Sequence, residues 1–391
     1  MKKRVVAALL AFCCCVTFFP FTLSAEETTG QESSKQPHLD LDATSVILME
    51  YETGCVLYEQ NADEQLPPAS ITKIMTLLLI MEAIENGKLS WEETVTASER
   101  AASMGGSQIY LKVGEQMSVR DLVKSVVIAS ANDAAAALAE HLCGSIEAFV
   151  EKMNEKAATL SMKNTHFENT NGLDDTTTAH YTSARDVAIM SRALIAYPDI
   201  LSYSSTWMDS VRDGAFGLTN TNRLVRFYPG ATGLKTGSTS KAKFCISATA
   251  MRDDMHLIAV VMGAPTRDIR NEIAKELLDY GFANYAVYRE EGSELPPIAV
   301  KGGVLDTCRV KQAAFSALVD KGTKGQITKE VNLPNHLTAP LSAGQRIGSV
   351  SYYNGEELIG EADIVAGEDV AKISFFELYF RMLQSCFGVN L

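Results

Sequence analysis

Neither H-E-x-x-H nor C-x-x-C occurs anywhere in the 391 residues, and the six histidines are dispersed. Without closely spaced ligands, no metal site is expected. Of eight cysteines, Cys13, Cys14 and Cys15 lie in the first 25 residues. Five remain, Cys55, Cys143, Cys245, Cys308 and Cys386, an odd and scattered set. A disulfide framework is therefore not expected. Cys143 and Cys245 fall in apolar runs and read as small hydrophobes. Basic charge is also short: 35 Lys and Arg face 48 Asp and Glu, for a net charge of −13. That balance argues against a nucleic-acid partner, while leaving room for a local basic pocket.

The first residues supply what an export signal needs. Lys2, Lys3 and Arg4 precede an apolar run, which ends at the small residues Ser24 and Ala25 before Glu26 and Glu27. This is the layout of a secretory signal peptide over 1–25, cleaved after Ala25. The expected place of work is outside the cytoplasm, at the outer face of the cytoplasmic membrane, so no cytosolic cofactor is expected. Residues 26–38 are polar and turn-rich, a flexible leader.

Hydrophobic residues make up 46% of the chain, enough for a full core, and the length points to at least two domains. Around Glu52, Thr53 and Gly54, apolar alternation predicts two strands joined by a turn. Helical patterns follow: ITKIMTLLLIMEAIENG, SVRDLVKSVVIAS with a capping box at Ser118 and Asp121, ANDAAAALAEHL, and SARDVAIMSRALIAY. LKTGSTSKAKFCISATA and MHLIAVVMGA read as two strands meeting at Arg252, Asp253 and Asp254, before a last helix, RNEIAKELLDYGFANY. The pattern predicts an α/β sandwich, an antiparallel sheet covered by helices, over 39–290. REEGSELPP reads as a linker. Short alternating runs over 291–370 predict a small all-β domain. Within 371–391, Ser374, Glu377, Arg381, Gln384 and Ser385 form one polar stripe on an otherwise apolar helix. That helix is too short to span a bilayer comfortably and reads as lying in a membrane surface.

Chemistry enters through a spacing. Ser-x-x-Lys occurs three times, at Ser70/Lys73, Ser238/Lys241 and Ser240/Lys243. On a helix, positions i and i+3 share a face, with Cβ atoms roughly 5–6 Å apart. On a strand they point to opposite sides. Only Ser70 opens a helical pattern, so only there does the spacing bring a hydroxyl to an amine, as a serine nucleophile with a lysine base requires. Two further motifs are each commonplace alone. Ser130-Ala131-Asn132 sits at a junction of two helices, where caps are usual. Lys235-Thr236-Gly237 enters a strand, where Gly233 and Gly237 leave room for another backbone.

Together and in this order, the three motifs are the signature set of penicillin-interacting serine enzymes. From about residue 39 to the C-terminus the chain resembles the low-molecular-weight penicillin-binding proteins, the D-alanyl-D-alanine carboxypeptidases. The resemblance extends through NTNGLDD, TSARDVA, GLKTG, VVMGAP and the small β domain. It implies a penicillin-binding/β-lactamase-like transpeptidase domain, followed by the β domain and the amphipathic helix. It also implies stem peptides ending in D-Ala-D-Ala as substrate and β-lactams as inhibitors. In this resemblance Ser70 is the nucleophile, Lys73 its base, and Ser130 relays a proton to the leaving D-alanine. Asn132 holds the substrate amide. Lys235, Thr236 and Arg270 meet the terminal carboxylate, with Gly237 beside them. The backbone N–H groups of Ser70 and Ser238 form the oxyanion hole. Where many relatives continue Lys-Thr-Gly with Gly-Tyr-Asn, this chain has Ala242-Lys243-Phe244-Cys245, which leaves side-chain preference open. Transpeptidation and endopeptidase action use the same residues, and water as acceptor is favoured by the overall resemblance alone. A class A β-lactamase needs a deacylating glutamate. The nearest is Glu168, without the matching context. A non-catalytic β-lactam sensor would suit a broken set, and this set is intact.

Overall fold

The computed structural model describes residues 39–387; the expected signal peptide and leader lie outside the described residues. Strands β1 (Ser45–Glu50) and β2 (Val56–Gln60) form the expected hairpin. A 3-10 turn, Ala69–Thr72, runs into helix α1 (Lys73–Glu85). Helices α2 (Val119–Ile128) and α3 (Asn132–Cys143) follow, and Ser118 caps the first by accepting from the Asp121 N–H. Helix α4 (Ile146–Thr159) was not expected. Its signals were present: Ser145 as N-cap, then Ile146, Phe149, Met153 and Ala157 at helical spacing, all buried. Helix α5 (Ala184–Ile195) is capped by Ser183.

The stretch read as one strand before Arg252 is two. Strands β3 (Ala231–Thr239) and β4 (Lys243–Arg252) form a hairpin, and β5 (Met255–Ala264) completes an antiparallel sheet of order β2-β1-β5-β4-β3. Both faces of β1 and β5 are buried. Ile47, Met49, Ile258, Val260 and Met262 join the core that α1 to α5 build. The alternate residues Leu48, Leu57 and Leu257 meet helix α6 (Arg267–Asn284), where Gly281 lets the helix approach closely. This is the expected sandwich.

The linker reading is corrected. Helix α6 runs directly into β6 (Tyr285–Glu290), and β7 (Ser293–Lys301) follows. Pro296 and Pro297 fit in β7 because the ladder with β8 (Thr307–Gln312) shifts register between Leu295 and Ile298. Strand β6 pairs with β9 (Phe315–Asp320), so pairing in the β domain begins before residue 290. The larger sheet adds β10 (Ile327–Asn332), β11 (Leu337–Thr338), β12 (Arg346–Asn354) and β13 (Glu357–Ala366). Its core stacks Phe315 on Tyr352, with ring centroids 3.9 Å apart. Glu52, in the β1–β2 turn, binds Arg289 and Ser316 across the two domains.

Helix α7 (Phe375–Phe387) ends the described chain. Its polar side is held by Arg381, which donates to Asp306 Oδ1 at 2.9 Å and to the Val304 carbonyl. Phe375, Phe376, Phe380 and Met382 remain 76, 71, 56 and 60% exposed. No helix among the described residues is long and apolar enough to cross a membrane.

Candidate active site

Of the three Ser-x-x-Lys pairs, the fold joins one. Ser70 sits in the 3-10 turn and Lys73 opens α1, so Lys73 Nζ donates to Ser70 Oγ at 2.8 Å. Lys73 Nζ also donates to the Asn171 carbonyl at 2.9 Å. By contrast, Lys241 Nζ donates to the Asp174 carbonyl at 2.7 Å, and Ser240 and Lys243 are exposed beside the β3–β4 turn.

A second pair stands beside the first. Lys235, on β3, donates to Ser130 Oγ at 2.9 Å and to the Thr236 carbonyl at 3.0 Å. Ser130 lies between α2 and α3 with φ +62°, in the left-handed region that side chains seldom adopt. Ser70, Ser130, Thr236, Gly237, Ser238 and Arg270 line one cavity of about 620 Å³. Both lysines stand behind their serines, buried.

That burial sets their protonation. Burial pushes Lys73 well below the usual lysine range, the Lys235 charge pushes the same way, and Asp133 opposes. Burial, then Arg270, brings Lys235 down to about 7. A neutral amine in contact with a hydroxyl is a base in the form that can accept its proton.

Gly237 explains how β3 reaches the nucleophile. A Cβ there would fall 2.9 Å from the Pro68 carbonyl and 3.0 Å from the Ser70 nitrogen. Only a glycine lets the strand lie against the 3-10 turn at this separation. Thr236 Oγ1 donates to Thr221 Oγ1 at 2.8 Å. Arg270 is buried, donates to Asn271 Oδ1 and the Cys245 carbonyl, and is lowered to about 10 by burial and by Arg267.

Asn132 stands just behind this cavity's lining, where its backbone N–H donates at 2.7 Å to the carbonyl of the lining residue Ser107. Its Nδ2 donates to the Gly105 carbonyl at 2.6 Å, while its buried Oδ1 has no partner. The sequence reading missed Thr221, Arg223, Arg267, Trp207 and Phe227 on the cavity wall, and the Asn171 carbonyl behind Lys73. The asparagine-rich run Thr219–Asn222 was a usable signal, since Asn220 and Asn222 side chains brace backbone there. Glu168 accepts from the Thr178 N–H at 2.8 Å and lines a different cavity, away from Ser70.

A family model described as D-alanyl-D-alanine carboxypeptidase matches residues 30–266, and one described as penicillin-binding protein 5, C-terminal domain, matches 308–372. The D-alanyl-D-alanine carboxypeptidase DacF of Bacillus subtilis is 40% identical over 388 residues, covering 97% of this chain and 98% of its own length. Penicillin binding protein 5 from Haemophilus influenzae superposes with a TM-score of 0.76 at 33% identity, covering 86% of this chain and 99% of its own. Penicillin-binding protein D2 from Listeria monocytogenes, solved in an ampicillin-bound form, gives 0.58 at 34% identity over 63% of this chain and 100% of its own. With a family match over more than half of the chain and a relative 40% identical over nearly all of it, the chain belongs to the D-alanyl-D-alanine carboxypeptidase family, peptidase S11.

Proposed function

We propose that this chain removes the terminal D-alanine from peptidoglycan stem peptides ending in D-Ala-D-Ala, through an acyl-enzyme on Ser70, and that β-lactams acylate the same serine. The observation that carries the reading is the 2.8 Å contact between Ser70 Oγ and a buried Lys73 amine, whose hold on its proton burial weakens. Ser70 Oγ forms the bond to the penultimate D-alanine carbonyl carbon as its proton passes to Lys73. The oxyanion is received by the Ser70 and Ser238 N–H groups. The C–N bond then breaks, and Ser130, held by Lys235, relays to the leaving amine the proton that Lys73 took from Ser70. Thr236, Lys235 and Arg270 receive the terminal carboxylate. The unpartnered Asn132 Oδ1 accepts from a substrate amide. Water then attacks the ester, its proton returns to Ser70 Oγ, and the shortened peptide leaves with a new carboxylate.

The test measures D-alanine released from a D-Ala-D-Ala peptide. Wild type, Ser238→Ala and Ser240→Ala release it, and Ser70→Ala does not. Labelled penicillin attached at Ser70 without D-alanine release would replace hydrolysis with transpeptidation or sensing.

The place of work is proposed as the outer face of the cytoplasmic membrane. The signal-like N-terminus and the exposed aromatic side of α7 support it. Full-length protein would float with lipid vesicles, and Phe376→Glu with Phe380→Glu would release it. Flotation unchanged by those substitutions would remove α7 as the anchor.

A further inference from the structure

The peptide unit joining Ala69 to Ser70 is gripped from both ends. Its N–H side faces β3, where the glycine at 237 allows the approach already described. Its carbonyl side faces Gly172, where a Cβ would fall 1.7 Å from the Ala69 oxygen. Ala69 itself is buried with φ +48°, a conformation an alanine keeps only when its surroundings impose it.

A directed chain of hydrogen bonds ends on that carbonyl. The Glu168 backbone N–H donates to His180 Nδ1 at 2.9 Å, so Nδ1 is the acceptor and Nε2 carries the proton. Nε2 lies 2.8 Å from Thr72 Oγ1 and donates to it. Thr72 has one hydroxyl proton, and it goes to the Ala69 carbonyl at 2.9 Å. His180 and Thr72 are buried, and burial lowers His180 to about 4, which keeps the ring neutral and this direction fixed near neutral pH. A peptide unit is planar, with its C=O and N–H antiparallel. Fixing the Ala69 oxygen therefore fixes where the Ser70 N–H points.

We propose that Thr72 and His180 are positioning residues for the oxyanion hole: they hold the 69–70 peptide plane so that the Ser70 N–H faces the substrate carbonyl. This rests on the reading of Ser70 as nucleophile, but not on water being the acceptor. The same loop binds α1 elsewhere, because Thr76 Oγ1 donates to the Thr170 carbonyl at 2.7 Å. That bond supplies a comparison of equal kind that does not touch the plane.

The full chain would be acylated with benzylpenicillin, and the infrared band of the Ser70 ester carbonyl recorded with the acylation rate. A carbonyl that accepts a well-aimed N–H absorbs at lower wavenumber. Thr72→Val should shift the band upward and slow acylation about tenfold or more, as a misaimed oxyanion donor does. Thr72→Ser should restore both. His180→Leu should move the band as Thr72→Val does. Thr76→Val should lower the melting temperature and leave the band in place. A Thr72→Val protein with wild-type band and rate overturns the proposal, as does one no different from Thr76→Val. A wild type that forms no ester at Ser70 overturns the nucleophile reading, and this proposal falls with it.

Discussion

A lysine stripped of water releases its proton early, and the site uses two of them. Lys235 loses its proton near 7 in the folded chain and near 10.5 when unfolded. Across that window the unfolded state holds the additional proton, so its contribution makes stability rise with pH. Lys235→Met removes the effect. The stability difference between wild type and variant, read from urea midpoints at pH 7.5 and 9.5, should change in favour of wild type by about 1.4 kcal/mol per pH unit. A pH-independent difference would mean that Lys235 stays protonated in the fold. The Ser70/Lys73 proximity was legible because helical spacing is local. The Asn171 carbonyl was not, because it reaches Lys73 from 98 residues away in sequence, through tertiary packing alone.

Among elements, the contact of β3 with the 3-10 turn is a tight constraint. Gly237→Ala places a methyl against backbone atoms of Pro68, Ser70 and Ile71, none of which can turn aside as a side chain would. The strand must retreat, at a cost of about 1–3 kcal/mol. Penicillin acylation should slow in the same variant, because the retreating strand carries Ser238 and Lys235 with it. An unchanged rate with an unchanged urea midpoint would show that the turn gives way instead. The β3–β4 hairpin escaped the sequence because its turn holds no glycine, proline, asparagine or aspartate, only Ser240 among the usual turn residues. The chain reverses at Ser240-Lys241-Ala242, and Lys243 takes a φ of +55° usually left to glycine or asparagine. REEGSELPP misled in the opposite sense: its composition is a linker's, yet the register shift at Leu295 lets two prolines stay within a strand.

For the whole molecule, composition was a sound guide to two domains and to an α/β layer before a β layer, since both follow from periodicity summed over long stretches. How the domains touch was not legible, because it depends on tertiary contacts such as Glu52 reaching Arg289 and Ser316, and Lys321 reaching the Phe282 carbonyl. Glu52→Ala should lower thermal stability by about 1 kcal/mol, as loss of a partly exposed ion pair does. D-alanine release should stay at the wild-type rate, because Glu52 belongs to a different cavity from Ser70. Calorimetry and a peptide assay on the same preparation check both; a fallen rate would mean that the β domain supports the site. The concealment of Lys73 and Lys235, at 0 and 1% exposure, bears also on reagents. Amine-directed acylating probes such as succinimidyl esters would mark exposed lysines such as Lys241 and Lys243 long before these two. A footprint of this protein's nucleophilic amines would therefore rank its most consequential pair last, and only a compound that enters by way of Ser70 would report on them.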